Sequence, residues 1–360
     1  MKILILANSD SGLYHFRKEL LEALIAAGHE VLAAVPKRRF AQQLQEIGVT
    51  LLETTINRRS VNPLGDFRLY WYYRQLLGKH HPDIVFTYTI KPNVYGGIAC
   101  QQKHIPYLAN VTGLGTSIEN GGLLSKISQF LYKKGLKGAK CVFFQNAGNR
   151  QFFLDRGIVN EDRVKLLPGS GVNLDRFTFE EYPAEGDEIR FLFIGRLMRD
   201  KGIGELLQAF DTLHKENPKV SLDIVGSMEE SMWDEPIQKA IASGVVRYHG
   251  LQKDVRPFYK NCHCFVLPSY HEGMANVLLE ASATGRPVIS TDVPGCRETY
   301  EENVTGLACK ARDADSLLQA MVKFTKLDYA RRIEMGMKAR QRVEQQFSRK
   351  IVIQKYLEML

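Results

Sequence analysis

The sequence predicts an α/β protein with two domains, each built on a parallel β-sheet that is covered by helices. Short apolar runs alternate with helical patterns along the whole chain, and this alternation restarts after one polar interruption. Nearly continuous apolar strands separated by helices are typical of parallel sheets buried on both faces. A length of 360 residues is sufficient for two such domains.

The first half contains seven apolar runs that we interpret as strands. The first run is followed by a helical pattern over 12–28 that ends at a glycine, as helices often do. The seven runs are 2–8, 30–35, 50–55, 83–89, 107–112, 141–146 and 163–169.

A polar, acidic stretch at 177–189, which contains Pro and Gly, predicts a linker. We therefore expect a Rossmann-like domain over 1–176, a second one over 190–345, and a C-terminal helix over 346–360 that packs back on the first domain. In open α/β sheets ligands bind at the carboxyl ends of the strands, so we expect the two domains to face each other across a ligand cleft. Six strands are predicted after the linker, at 190–196, 220–226, 245–250, 264–270, 287–292 and 306–310.

The net charge of +8 is unevenly distributed along the chain. Residues 1–180 contain 23 Lys and Arg against 14 Asp and Glu, whereas the remainder contains 25 against 26. A basic half attracts anionic surfaces, either phospholipid or nucleic acid. Because the sequence contains no recognised nucleic-acid-binding module, we expect no nucleic-acid partner.

The segment 123–140 mixes Leu, Ile and Phe with five lysines at helical spacing. This pattern is typical of a helix that lies on an anionic membrane surface. It fits equally a helix whose apolar face packs into the core and whose lysines remain in water. Further basic clusters occur at 37–39 and 58–59. No apolar run approaches the roughly 18 residues of a spanning helix.

The six cysteines have no framework spacing, which is typical of reduced thiols in a cytosolic protein. Cys262 and Cys264 flank His263, but alternate residues of a strand point to opposite faces of the sheet. We therefore expect no metal site there.

The stretch after the strand at 190–196 places two cations close to a helix start. Arg196 ends the strand, Lys201 lies five residues on, and Gly202 and Gly204 open a helical pattern. Cations and free amides at a helix N-terminus together favour binding of a diphosphate. The alternative is a surface turn with solvated charges.

Two glutamates separated by seven residues follow the strand at 264–270. Glu272 lies on a loop before an apolar helix, and Glu280 lies two turns along that helix. We expect Glu272 to accept hydrogen bonds from sugar hydroxyls and Glu280 to accept them from a ribose diol. The alternative is that Glu272 only favours the positive helix end while Glu280 is solvated. The predicted free amides of the first helical turn, which suit a phosphate, are those of Gly273, Met274, Ala275 and Asn276.

The turn after the first strand, ANSDSGLYHF, contains a single glycine, Gly12. A glycine at a helix N-terminus allows a phosphate to approach the backbone. The G-x-G-x-x-G fingerprint of dinucleotide binding is absent, and a plain strand-to-helix turn fits the pattern as well. His15 lies on the first turn of the predicted helix.

Several motifs carry a resemblance to a known family. GRLMRDKG, PSYHEGMANVLLEASATGRPVISTDVPG and NVTGLACK resemble the C-terminal signature of family-4 retaining glycosyltransferases of the GT-B fold. GLYHFRKELLEAL, RRSVNPLGD, KPNVYGGIA and GLG resemble enzymes that extend an undecaprenyl-diphosphate-linked sugar, among them bacterial α-1,3-N-acetylgalactosaminyltransferases. The alternative is a UDP-sugar epimerase of GT-B-like architecture.

The resemblance implies transfer of a hexose or N-acetylhexosamine from a nucleotide sugar, most simply UDP-linked. The implied acceptor is a polyprenyl-diphosphate-linked sugar in bacterial surface polysaccharide or glycan assembly. The implied location is peripheral, on the cytoplasmic face of the inner membrane. No cofactor and no metal are implied, because fixed cations would stabilise the leaving diphosphate.

The resemblance also assigns roles to individual residues. Arg196 and Lys201 would hold the donor diphosphate, with the backbone of Gly12 close to it. Glu272 would bind the donor hexose and Glu280 the ribose. The turn near Leu251 would hold the base.

One position departs from the family pattern. Thr112 lies where many members carry a histidine that positions the donor sugar, so this role falls to His15 or Lys91 or is absent. Asp313 and Asp315 spell the D-A-D pattern of metal-dependent transferases. They open a helical pattern, however, where aspartate is a favoured cap.

Overall fold

The structure, a computed structural model, describes residues 1–36, 39–54, 62–115, 118 and 121–360. The chain divides into two compact units, of which the first comprises residues 1–170 and 352–360 and the second residues 171–351. Each unit contains a parallel β-sheet flanked by helices, so the predicted fold class is confirmed. Lys37, Arg38, Arg58 and Arg59, which belong to the predicted basic clusters, lie outside the described residues.

The sheet of the first unit has the strand order β3-β2-β1-β4-β5-β6-β7 and its pairings are parallel. Each predicted strand of this half is present. The strands are β1 (Lys2–Leu6), β2 (Glu30–Val35), β3 (Thr50–Glu53), β4 (Ile84–Tyr88), β5 (Tyr107–Val111), β6 (Cys141–Phe144) and β7 (Val164–Leu166).

Helices cover both faces of this sheet because successive strand residues alternate between the two faces. Leu4 and Leu6 contribute to one core, and Ile3 and Ile5 contribute to the other. The described helices that pack on the Leu4 face are α3 (Pro63–His80), α4 (Gly97–Lys103), α5 (Gly122–Leu136) and α6 (Ala147–Asp155), with a π-helical turn at Pro92–Gly96. Those on the Ile3 face are α1 (Asp10–Ala26), α2 (Ala41–Glu46) and the last turns of the C-terminal helix.

The sheet of the second unit has the strand order β10-β9-β8-β11-β12-β13 and is also parallel. Its strands are β8 (Ile189–Ile194), β9 (Val220–Val225), β10 (Val246–Tyr248), β11 (Cys264–Leu267), β12 (Val288–Thr291) and β13 (Gly306–Cys309). Its helices are α7 (Ile203–Glu216), α8 (Asp234–Ala242), α9 (Arg256–Asn261), α10 (Asn276–Ala283), α11 (Ala314–Thr325) and α12 (Tyr329–Gln346).

The division between the units falls after Ser170, six residues before the predicted boundary. The predicted linker at 177–189 lies within the second unit. The buried guanidinium of Arg286 donates hydrogen bonds to the carbonyl oxygens of Glu180, at 3.1 Å, and Glu181, at 2.7 Å. These hydrogen bonds tie the polar stretch to the segment between α10 and β12 of the second unit, a contact that a composition pattern does not reveal.

The last helix, α13 (Arg349–Leu357), belongs to the first unit from Val352 onward. Tyr356 is fully buried there, and its ring contacts Phe86 and Phe143. Its hydroxyl donates a hydrogen bond to the side-chain oxygen of Asn110. Helix α12, which precedes it, lies in the second unit.

All six cysteines are free and buried. Burial raises the pKa of each thiol, for example to about 11 at Cys141 and to about 12 at Cys262, Cys296 and Cys309. Among the described residues, none of the helices is both long and apolar enough to cross a lipid bilayer.

Candidate functional site

The predicted donor-binding residues gather at the carboxyl edge of the second sheet. Strands β8 and β11 are neighbours in this sheet. The chain continues from β8 to β9 on one side of this pair, and from β11 to β12 on the other side. Such a reversal opens a crevice beyond the strand ends, where open α/β sheets bind ligands. Arg196 and Lys201 follow β8, and Glu272 follows β11.

Lys201 and Glu272 form an ion pair in which the ammonium group donates to Oε1 of the carboxylate. The hydroxyl of Ser269 donates to the same oxygen at 2.9 Å. Gly202, with a φ of 69°, brings the loop after β8 against the end of β11. A Cβ atom at this position would lie 2.1 Å from the carbonyl oxygen of Pro268. The close backbone approach therefore holds Lys201 beside Glu272.

A third loop, which follows β12, packs against the backbone of Glu272. Gly295 has a φ of 84°, and a Cβ atom there would lie 2.3 Å from the carbonyl oxygen of Glu272. The Glu272 amide donates to the carbonyl of Pro294 at 3.3 Å, and the Ala275 amide donates to the carbonyl of Gly295 at 2.8 Å. The prediction that the Ala275 amide is free was therefore wrong. Sequence reasoning also missed Gly295, although the Pro-Gly pair there is a turn signal.

The other residues of the predicted amide cluster differ in what they expose. The side chains of Met274 and Ala275 are buried in the core of the second unit, so only their backbone faces the loop. Gly273 is half-buried. Asn276 begins α10, and its side-chain Oδ1 is buried with no hydrogen-bond partner among the described residues. A buried amide oxygen without a partner is unusual in folded proteins, so this oxygen is available to accept a hydrogen bond.

Glu280 is half-buried and lies about one turn along α10, four residues after Asn276. The hydroxyl of Tyr259 donates to its Oε2 at 3.0 Å. Burial raises the pKa of Glu280 to about 7, and the Tyr259 hydrogen bond together with the charges of Arg349 and Arg176 opposes this rise. The idea of a merely solvated Glu280 was therefore wrong. Tyr259 had no signal in the sequence, because α9 and α10 meet only in the fold.

Two further predicted donor contacts lie at the surface. The guanidinium of Arg196 is half exposed and lies 4.0 Å from the carboxylate of Glu229. Leu251 is 66% exposed in the turn after β10. Both side chains are accessible to a ligand at this edge of the sheet.

In the first unit the residues after β1 form a capped helix start. Ser9 is the N-cap of α1, and its hydroxyl accepts a hydrogen bond from the Gly12 amide at 3.1 Å. Gly12 thus lies within the first turn of the helix, and its amide is engaged rather than presented to a phosphate. The exposed ring of His15 packs edge-on against Tyr14 and Phe40.

Lys91 is held by a carboxylate. Its ammonium group lies 2.7 Å from Asp66, which also accepts a hydrogen bond from the Tyr95 hydroxyl at 3.0 Å. Thr112 is half-buried directly after β5. Lys91 and Thr112 therefore follow neighbouring strands, β4 and β5, at the carboxyl edge of the first sheet.

Thr89, which sequence reasoning missed, has a strained backbone conformation at the carboxyl edge of the first sheet. It follows β4 at the strand-order reversal between β1 and β4, with a φ of 74°. A β-branched residue rarely adopts this conformation. Its hydroxyl oxygen is buried without a hydrogen-bond partner among the described residues. Backbone strain of this kind often occurs at ligand sites.

The D-A-D pattern is a helix cap. Asp313 is the N-cap of α11, and its Oδ1 accepts a hydrogen bond from the Ser316 amide at 2.8 Å. The capping interpretation is confirmed for Asp313. Nearby, an open cavity of about 780 Å³ is lined by residues outside the predicted donor set, including Arg199, Glu205, Trp233 and Tyr270.

The basic helix α5 presents an unexpected face to solvent. Its buried residues include Ser125 and Ser128, whereas Leu123, Ile127 and Phe130 are exposed. Gly135 fixes this orientation, because a Cβ atom there would lie 2.5 Å from the Cα atom of Val94. The expectation that the apolar residues pack into the core holds for Tyr132 and Leu136, whereas Leu123, Ile127 and Phe130 are exposed.

Two family models match the chain. The model of "Glycosyl transferases group 1" matches residues 175–342, and the model of the "Glycosyl transferase 4-like domain" matches residues 12–169. Together they span nearly the whole sequence and correspond to the two parallel-sheet units.

The chain belongs to the glycosyltransferases.

This glycosyltransferase has relatives in bacterial glycan assembly. It is 28% identical to the N,N'-diacetylbacillosaminyl-diphospho-undecaprenol alpha-1,3-N-acetylgalactosaminyltransferase of Campylobacter jejuni, over 100% of this chain and 98% of that protein. It is 27% identical to the capsular polysaccharide biosynthesis glycosyltransferase CapM of Staphylococcus aureus, over 77% of this chain and 76% of that protein.

The glycosyltransferase also shares its fold with solved structures. Alr3699/HepE of Anabaena, solved in complex with UDP and glucose, superposes with a TM-score of 0.81 at 19% identity. The match covers 99% of this chain and 98% of that chain. The predicted GT-B fold is therefore confirmed.

Proposed function

We propose that this glycosyltransferase moves a hexose or N-acetylhexosamine from a UDP-sugar to a lipid-diphosphate-linked sugar, with retention of the anomeric configuration. The observation that carries the proposal is the Lys201–Glu272 ion pair with Ser269 at the strand-order reversal of the second sheet. The full-length relative from Campylobacter jejuni, whose name describes transfer to a diphospho-undecaprenol-linked sugar, supports the choice of acceptor. The solved relative with bound UDP and glucose supports the choice of donor.

In this proposal the donor replaces existing contacts of the ion pair. The diphosphate takes the ammonium group of Lys201 and the guanidinium of Arg196, both of which lie after β8. Glu272 then accepts hydrogen bonds from the hexose hydroxyls. The side chain of Asn276 meets the donor at the start of α10, and Glu280 binds the ribose diol. Leu251 lies against the base.

The reaction proceeds without a metal ion in this proposal. The bond between the anomeric carbon and the diphosphate oxygen breaks, and the acceptor oxygen bonds to the same carbon from the same face. The acceptor proton passes to the leaving diphosphate. Lys201 and Arg196 stabilise the negative charge that develops on the diphosphate, as fixed charges do in a preorganised site. Asp313, the first aspartate of the D-A-D pattern, is engaged as a cap and contributes no ligand to this step.

The acceptor lipid implies that the protein works at a membrane surface, which we propose is the cytoplasmic face of the inner membrane. Helix α5 supports this, because it combines exposed apolar side chains with Lys126, Lys133 and Lys134 and contains no acidic residue. Such a helix binds at the interface of an anionic bilayer.

The test is the release of UDP from a panel of UDP-sugars, with and without a polyprenyl-diphosphate-sugar acceptor, in the presence of a metal chelator. We expect acceptor-dependent release with one donor, and a product whose anomeric proton coupling matches that of the donor. Conversion of a UDP-sugar without acceptor would indicate an epimerase. Release only with added metal would remove the metal-independent step.

A further inference from the structure

Helix α3 exposes a row of large apolar side chains, although its packing against the sheet does not need an apolar outer face. Leu64, Phe67 and Trp71 are 72, 59 and 43% exposed and occur at spacings of three and four residues, so they lie on one face. The opposite face is already buried through residues such as Leu69 and Tyr73. An exposed apolar row on a helix whose opposite face is already buried is typical of an interaction site.

This row lies at the same edge of the first unit as the exposed face of α5. Both helices pack on one face of the sheet, and α4 contacts each of them. Helix α3 ends just before β4 and α5 ends just before β6, so both helices begin at the carboxyl edge of the parallel sheet. The exposed apolar residues occur within the first nine residues of each helix.

Apart from Asp66, the Asp, Glu, Lys and Arg side chains within α3 and α5 are basic. The carboxylate of Asp66, the acidic residue of α3, is bound by Lys91 and Tyr95. The guanidinium of Arg74 lies 5.0 Å from the Trp71 ring. On α5 the ammonium of Lys134 lies 5.4 Å from the Phe130 ring. Aromatic rings beside cations suit the headgroup region of a bilayer, where one end of the side chain is apolar and the other is wet.

We propose that α3 is a second membrane-binding element, which inserts Leu64, Phe67 and Trp71 into the headgroup boundary of an anionic bilayer beside α5. This inference rests on the proposed membrane attachment through α5 and extends it. The two rows bring the carboxyl edge of the first sheet to the membrane surface, where a lipid-linked diphosphate emerges. A symmetric second copy fits less well, because its surface would bring the same cations against each other.

The test uses Trp71 as a reporter in the full chain. The sequence contains two tryptophans, so the variant Trp233→Phe leaves Trp71 alone. We expect its emission to shift to the blue with vesicles that contain phosphatidylglycerol, and to be quenched by lipids brominated on their acyl chains. Pure phosphatidylcholine vesicles should produce a much smaller shift, because they lack the negative charge.

A double variant measures how much α3 contributes to binding. Leu64→Gln with Phe67→Gln should weaken sedimentation with the anionic vesicles by about tenfold or more, because two large apolar side chains no longer leave water. The matched control replaces two exposed apolar residues of the second unit, Met232→Gln with Met337→Gln, and should bind as the wild type does. Circular dichroism checks that each variant is folded.

Three results would overturn the inference. The first is unchanged Trp71 emission while the protein still sediments with the vesicles, since α5 would then act alone. The second is no sedimentation of the wild type. The third is a wild-type dimer in light scattering that the α3 variant abolishes, since the row would then bind a second copy. Transfer to a short-chain, water-soluble acceptor is measured separately, so failure of the proposed transferase activity is distinguishable from failure of membrane binding.

Discussion

Lys201 and Glu272 form an ion pair at the carboxyl edge of the second sheet, although 71 positions separate them in the chain. Two backbone contacts hold the pair, one at Gly202 against Pro268 and one at Gly295 against Glu272. The pair is therefore part of the architecture where three loops meet. A donor that takes Lys201 would release Glu272 to accept hydrogen bonds from a sugar.

Loss of either partner of this pair should lower turnover. We expect Glu272→Gln and Lys201→Ala each to reduce kcat for acceptor-dependent UDP release by about 10²–10³-fold, the range typical of one electrostatic group at a reacting centre. The control is Lys215→Ala at the far end of α7, which removes a surface pair with Asp211 and should leave kcat unchanged. Near-full turnover in both Glu272→Gln and Lys201→Ala would contradict the donor assignment.

Gly295→Ala should damage the protein more than the strain of its backbone explains. A matched control exists in Gly244, which has a φ of 72° and open space around its Cβ position. Gly244→Ala should lower the free energy of unfolding by about 1 kcal/mol from backbone strain alone. Gly295→Ala adds the clash with the Glu272 carbonyl, so we expect a larger loss together with reduced kcat. Equal unfolding midpoints for the two variants in urea would show that the close approach is unimportant.

Glu280 should make stability depend on pH. Its pKa in the folded protein is about 7, above the ordinary value of 4.5. The folded state therefore holds the proton more tightly, so this contribution to stability is complete below about pH 4.5 and is lost as the pH rises through about 7. We expect Glu280→Gln to gain thermal stability relative to the wild type between pH 5 and pH 8.

A second variant tests the cause of this shift. Tyr259→Phe removes the hydroxyl that favours the charged form of Glu280, so the loss of stability should extend to higher pH than in the wild type. If the difference in Tm between Glu280→Gln and the wild type stayed constant over this pH range, the raised pKa would be wrong.

Substitutions of Thr89 should change both the stability and the activity of the protein. Thr89→Gly relieves the strained φ of 74° and should raise the free energy of unfolding by about 1 kcal/mol relative to Thr89→Ala. Both variants remove the buried hydroxyl and should lose turnover to a similar degree. Full activity in Thr89→Gly would mean that the hydroxyl contacts no substrate.

The lysines of α5 should control attachment to anionic vesicles. Replacing Lys126, Lys133 and Lys134 by Gln should weaken binding to phosphatidylglycerol-containing vesicles, at about 1 kcal/mol for each charge near the surface. The control removes the same charge from the second unit by replacing Lys215, Lys219 and Lys260, which are exposed there. Equal loss in both variants would indicate a dependence on net charge rather than on α5.

The existence of the strands and the positions of Lys201, Glu272 and Glu280 beside them were predictable from the sequence, because they depend on apolar periodicity and on local spacing. The residues that contact Lys201, Glu272 and Glu280 were not predictable. Ser269, Gly295 and Tyr259 reach the site through strand neighbours and helix packing that join distant segments. Local rules also describe a glycine near a helix start equally well as a phosphate turn or as a capped first turn, and the Ser9 hydroxyl decides for Gly12.

A local sequence pattern also could not predict which face of α5 is exposed. An amphipathic helix can turn either face inward, and its sequence does not say which face meets the core. The contact of Gly135 with the backbone near Val94 decides this, because only a residue without a side chain permits that approach. The hydrogen bond from Arg286 to the carbonyl of Glu180 is a further contact between distant segments that local composition does not reveal.

Because the native cysteines are buried, they should react little with the reagents used for site-specific labelling. Their raised pKa values keep the thiols protonated at neutral pH, and it is the thiolate that reacts with maleimides and spin labels. One cysteine introduced at exposed Leu123 would therefore carry a single probe without removal of the native six. Depth of immersion, orientation on a bilayer and motion during turnover then become measurable with a chain altered at one position.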